Sequence, residues 1–299
     1  MSYPACHRSE AGFVTDVAPD DACPLGGVEA HDVVPSSVSC ALMAALIPRA
    51  APVTTARRVR SVMARNLVLS GGVGHPFAST SQMLADVLAP HGIGTVVAAP
   101  EQWEDAIAAH VPGDGLLTFN ALRWRMLADR YDALRAAESY ASTPALHRAV
   151  EDHLAAGGAL LSLHTSCICF DDWPGWAEIL GAAWDWDRSF HPVRGDVHVH
   201  DLVHDTRFTV NDELYHGLGV SDPAREVLAV ASVPRDSFVQ NTAPVGASGV
   251  GDVHPVLWRR RHGRGRVVVD TLGHDHLSLG HPAHRRALGA AIEWAVAGV

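Results

Sequence analysis

The sequence predicts an α/β fold built on a mainly parallel sheet with helices on both faces. Three observations carry that prediction. From Asn66 onward, short apolar runs alternate with segments of helical period. Glycines sit at several of the turns between them, and polar residues able to do chemistry follow directly after the strands. The chain has 299 residues, 47% of them hydrophobic and 19% charged. That is enough apolar material for a substantial core in one large domain or two small ones.

The elements follow in order. Leu67–Leu69 reads as a buried strand, closed by Gly71-Gly72-Val73-Gly74-His75. A helix follows, with Ser79 or Thr80 as its N-cap and Met83, Leu84, Val87 and Leu88 on one face. Strand Thr95–Ala99 leads to helix Glu101–His110, and strand Leu116–Phe119 ends at Asn120. A helix over Pro144–Ala156 stops at Gly157-Gly158 and gives way to strand Ala159–Leu163, which ends at His164. From Arg194 to Asp270 the pattern turns strand-rich, as an insertion or an antiparallel extension of the same sheet. It closes with a hairpin whose first strand holds Pro255–Trp258 and whose second is Val267–Val269, followed by Asp270, with Gly263 and Gly265 closing the basic turn. An amphipathic helix over His281–Ala297 ends the chain.

Residues 1 to about 62 lack any sustained period, so residues 1–64 are expected to form a poorly ordered extension and Met63 reads as a plausible true start. The domain proper is expected over residues 65–299. A formal net charge of −10 argues against a nucleic-acid partner, because phosphates demand cations. No apolar stretch is long enough to span a bilayer, and no secretory signal opens the chain. The five cysteines contain no CxxC pair, which disfavours a disulfide framework and points to a reducing, cytoplasmic setting. A homo-oligomer is compatible with all of this.

The 19 histidines are the chemical signal. His75, Asn120, His164 and His274 each lie just past a strand, at the end where open α/β sheets gather their sites. They are expected to converge on one cleft. The Gly71–Gly74 turn either permits a tight strand-to-helix turn or offers backbone N–H groups to an oxyanion or hydroxyl. Asn211-Asp212-Glu213-Leu214-Tyr215 sets two carboxylates beside an aromatic ring, as a general base near the histidines or as the start of a helix. His198, His200 and His204 have spacings that suit zinc or exposed strand positions equally. Cys167 and Cys169 read as small buried residues.

Several motifs together resemble the ThuA-like (trehalose-utilization) family: GGVGHPF at Gly71–Phe77, GGALLSLHT at Gly157–Thr165, NDELY at Asn211–Tyr215, HPVLW and HGRGRVVVDTLGHD within His254–Asp275, and IEWAVAG at Ile292–Gly298. The resemblance covers residues 65–299. It implies a flavodoxin-like sheet related to class I glutamine amidotransferases, with His164 at the elbow where those enzymes carry a cysteine nucleophile. It implies His164, Glu213 and His274 as catalytic residues, with His75 and Asp212 in support. His75 and Asp212, together with Asn120, Tyr215 and Asp275, are the expected substrate-binding residues. The implied activity is acid–base chemistry on a 3-keto sugar or disaccharide derivative, without cysteine-dependent amidotransfer. The rival readings are a non-catalytic carbohydrate-binding or regulatory module, and a metal-dependent hydrolase holding a divalent metal such as zinc. Val203-His204-Asp205-Thr206 and Cys167-Ile168-Cys169-Phe170 depart from the family pattern, and Trp173, Trp176, Trp184 and Trp186 make the region after the elbow unusually aromatic.

Overall fold

The structure is a computed structural model that describes residues 64–234 and 252–297. The expected N-terminal extension and the proposed start at Met63 lie outside the described residues, Ala64 apart. Strands β1 (Ala64–Gly72), β2 (Ile93–Ala98), β3 (Leu116–Leu122) and β4 (Ala159–Leu163) pair in parallel, and β11 (Gly265–Asp270) joins β4 in parallel. Their order, β2-β1-β3-β4-β11, is the flavodoxin-like winding.

Beyond β11 the same sheet turns antiparallel through β10 (His254–His262), β9 (Glu226–Ser232), β6 (Gly195–Asp201) and β7 (Thr206–Asp212). The strand-rich region is thus an extension of one nine-stranded sheet. A separate two-stranded pair joins β5 (Ala182–Ala183) to β8 (Gly219–Val220).

The burial pattern explains the division. Every residue of β4 is buried, as expected for a parallel strand covered on both faces. In β6 the buried positions alternate with more open ones, as in an antiparallel strand solvated on one face. One core packs Val68, Leu161 and Val268 against α1 (Phe77–Leu88) and α7 (Pro282–Val296). The opposite core packs Leu69, Leu160 and Val269 with residues of α2 (Trp103–Ala109), α4 (Pro144–Ala155) and α5 (Pro174–Leu180). Successive residues of one strand feed opposite cores, which is the period-2 geometry of the pleat.

Several sequence expectations need correction. Helix α1 starts at Phe77 with Pro76 as its N-cap, so the expected caps Ser79 and Thr80 lie inside it, and Thr80 and Ser81 face the sheet. Both are buried because their hydroxyls bond to Phe77 O and to Ser70 Oγ of β1. Strand β3 continues past Asn120 to Leu122. Asn211–Tyr215 is the end of β7 and the loop beyond it, with no helix there. Helices α3 (Asp132–Glu138), α5 and α6 (His276–Leu279) are short pieces, four to seven residues long, whose period is too brief to read.

Candidate active site

Three strand ends and one return loop meet at a single point. His164 follows β4 directly, at the start of a 3-10 turn over His164–Ile168. Its φ of 50° is left-handed, a strained backbone state for a residue with a side chain. A strained turn after the central strand is how related folds aim a reactive side chain out of the sheet. His75 lies past β1, His274 past β11, and Glu213 directly after β7.

Strand β7 stands four strands beyond β11 in the sheet, yet its end is tied back to the loop after β11. The fully buried Asp212 carboxylate makes that tie, accepting the N–H groups of Glu213 at 2.7 Å, Gly273 at 2.7 Å and His274 at 3.4 Å. Burial pushes its pKa up to about 7, against those donors.

The ligand atoms of His75, His164, Glu213 and His274 all lie within 4.8 Å of one another. Glu213 is the hub. Its Oε2 stands 3.7 Å from His164 Nε2 and 3.9 Å from His75 Nε2. Its Oε1 stands 3.7 Å from both His274 Nε2 and His191 Nδ1. The Tyr215 hydroxyl donates to Oε2 at 3.4 Å, and the Tyr215 ring stacks on His164.

Hydrogen bonds behind the rings set their tautomers. His164 Nδ1–H donates to the Thr271 carbonyl at 2.9 Å, and His75 Nδ1–H to the Val73 carbonyl at 3.3 Å. Both therefore turn a bare Nε2 towards Glu213. His274 is the reverse: Arg194 donates to its Nδ1 at 3.2 Å, so the proton sits on Nε2.

Burial holds His164 well below its ordinary pKa, helped by His75, and burial also lowers His274. Both are neutral at pH 7. For Glu213, burial alone would raise the pKa, but the neighbouring His75, His191 and His164 outweigh it and hold the group ionised.

The remaining expected residues fall behind or beside the cluster. Asp275 caps α6, accepting from Leu277 N, and its other oxygen pairs with Arg194. Asn120 lies outside: its amide donates to Thr80 Oγ1 and Ser81 Oγ at 2.9 Å each, which leaves it as a clamp between β3 and α1. His198, His200 and His204 are occupied by Thr209, Asp205 and Asp201.

Sequence reasoning missed His191, Arg194 and the Thr271 carbonyl. His191 and Arg194 precede β6 in a loop with no periodic signal, and a backbone acceptor carries none at all. Burial raises both Cys167 and Cys169, the latter to about 12, and Cys169 Sγ is engaged with the backbone around Ala121 and Arg123.

Aromatic rings lead outward from the cluster. Tyr215 meets Trp184 edge-on at 5.4 Å between centroids, Trp184 meets Trp186 at 6.4 Å, and Trp186 meets Trp124 at 5.9 Å. Trp173 and Trp176 are buried, whereas Trp186 is 41% exposed.

A family model described as "Trehalose utilisation" matches residues 65–295. The chain belongs to the ThuA family. That membership gives it a carbohydrate-related role. A ThuA-like protein from Parabacteroides merdae shares the fold, with a TM-score of 0.58 at 16% identity over 78% of this chain and 90% of that one. A cytoplasmic protein from Salmonella typhimurium overlaps with a TM-score of 0.45 at 13% identity, over 78% of this chain and 97% of that one. A β-galactosidase from a Rahnella species overlaps with a TM-score of 0.48 at 10% identity, over 79% of this chain and 31% of that one. No curated protein matches the chain. Among the described residues of this ThuA protein, no helix is long and apolar enough to cross a membrane.

Proposed function

We propose that this ThuA protein is an enzyme that moves a proton next to the carbonyl of a 3-keto sugar or disaccharide derivative. The observation that supports it most is the pairing of an ionised carboxylate with a neutral imidazole N–H. Glu213 Oε1 and His274 Nε2 stand 3.7 Å apart, close enough for both to face one small substrate.

Glu213 takes the proton from the carbon beside the carbonyl. The electron pair moves onto the carbonyl oxygen, where the His274 N–H meets the developing charge. A neutral imidazole is suited to this, because the oxygen needs a donor at the transition state without a full charge transfer. The resulting enediolate has two outcomes. Protonated Glu213 returns the proton to the former carbonyl carbon while the adjacent hydroxyl passes its own proton to the new alkoxide, which isomerises the sugar. Alternatively, the substituent on the next carbon departs with the proton from Glu213, which cleaves a glycoside. Arg194, fixed by Asp275, keeps the proton of His274 on Nε2.

The exposed Trp186 and half-open Trp184 offer the flat apolar faces that match the C–H face of a pyranose, while the centre supplies polar groups for its oxygens. Incubating the purified protein with 3-keto disaccharides and following the products by chromatography tests the proposal. Consumption of at least one is expected, and inertness towards all of them, with binding retained, favours a binding module instead. Replacing Trp186 with Ala is expected to raise KM about 10-fold with kcat nearly unchanged, as for lost uniform binding. A fall in kcat alone would show that the ring does not hold the substrate.

A further inference from the structure

We infer that the cluster is a mononuclear metal centre, in which His75 Nε2, His164 Nε2 and Glu213 Oε2 hold one divalent transition-metal ion. The inference rests on reading the cluster as the working centre, and it assigns its four residues to two different tasks.

The first argument is distance. Donors about 2.1 Å from a shared ion stand roughly 3–4.2 Å apart. Oε2 of Glu213 lies 3.7 Å from His164 Nε2 and 3.9 Å from His75 Nε2, inside that range. The second is the state of the rings. Metal-bound histidines donate their other N–H to a carbonyl or carboxylate, which fixes ring and tautomer. His164 does so to Thr271 and His75 to Val73.

The third argument is an unmet need. His75 Nε2 is buried without a hydrogen-bond partner, on a side chain only 10% exposed and aimed at Glu213. A buried polar atom left unpaired costs about 1–3 kcal/mol, and an ion at this point would satisfy it.

His274 is set apart by the same reasoning. Its Nδ1 is taken up by Arg194, so Nε2 carries a proton and stands 3.7 Å from Glu213 Oε1. It acts as a hydrogen-bond donor to whatever the ion binds. Two imidazoles and one carboxylate suit zinc, manganese, iron or cobalt, and three protein ligands leave positions open for substrate oxygens. Coordination through Oε2 leaves Oε1 of Glu213, on the side of His274 and His191, to receive a proton. The ion would polarise the sugar carbonyl as a Lewis acid.

The test uses the full chain, stripped with a chelator and reloaded separately with Zn(II), Mn(II) and Co(II). Metal content is read by plasma mass spectrometry and affinity by calorimetry. The centre predicts about one ion per chain for at least one metal. Replacing His75 or His164 with Ala should weaken binding about 100-fold or more. Replacing His274 with Ala should keep the ion. Should His164→Ala not fold, His75→Ala carries the test, since His75 sits in the loop after β1.

No bound ion after reloading, or undiminished binding by His75→Ala, overturns the metal centre. One ion per chain without turnover of any 3-keto disaccharide upholds the centre and overturns the sugar chemistry. Turnover that survives complete metal removal does the opposite.

Discussion

Replacing Glu213 with Gln is expected to lower turnover of a 3-keto disaccharide about 10²–10⁴-fold, the range for losing a positioned general base. The substitution keeps the side chain's size and leaves an oxygen to accept from the Tyr215 hydroxyl, now 3.4 Å away. The charge and the proton-accepting capacity go, and with them the anionic ligand of the inferred ion, so metal content is read on the same sample. The melting temperature should stay within a few degrees, because His164 and His274 are neutral near pH 7 and lose no ion pair. Steady-state kinetics and a thermal melt on the same sample check both halves. Full activity in the variant would remove Glu213 from the chemistry.

Replacing Asp270 with Asn is expected to cost about 3–5 kcal/mol of stability, the loss seen when one partner of a buried ion pair is removed. Asp270 Oδ2 accepts from His284 Nε2 at 2.8 Å, and His284 Nδ1 donates to the Ser278 carbonyl at 3.1 Å. Both ring nitrogens donate, so the buried His284 is an imidazolium. Burial alone would lower its pKa, but the charge and hydrogen bond of Asp270 outweigh that and raise it. Because the folded-state value lies above the unfolded one, the stabilisation is complete below pH 6.5 and drains away as pH rises through the raised value. Urea unfolding at several pH values should show this decline in the wild type and its loss in Asp270→Asn. A pair that contributed nothing would leave the two proteins with parallel, superimposable pH profiles.

The parallel half of the fold was legible because its strands carry short apolar runs that alternate with segments of helical period. β4 and α4 were bounded almost to the residue by the Gly157-Gly158 stop and the Pro144 start. The N-terminus of α1 was misplaced because Ser79 and Thr80 look like caps, yet the Thr80 hydroxyl serves a contact to Asn120 of β3 that no local rule contains. His75, His164 and His274 were readable from one regularity, their position after strands that end on the same side. Glu213 was readable as part of a motif, while its approach to the histidines depends on the Asp212 carboxylate catching the Gly273 and His274 N–H groups across 61 and 62 residues of chain. Such long-range ties, like the placing of His191 and Arg194, leave no periodic trace. Asn120 shows the converse: its position resembled that of the site histidines, but its amide is consumed by α1.

The most direct measurement is proton exchange at the substrate. A 3-keto disaccharide incubated with the protein in deuterated water would be followed by proton NMR at the carbons flanking the carbonyl. The account predicts deuterium entering at one of those carbons far faster than without protein, and at the background rate with Glu213→Gln. Exchange at the background rate with the metal-loaded wild-type protein, while the sugar is bound, would contradict proton removal at this centre.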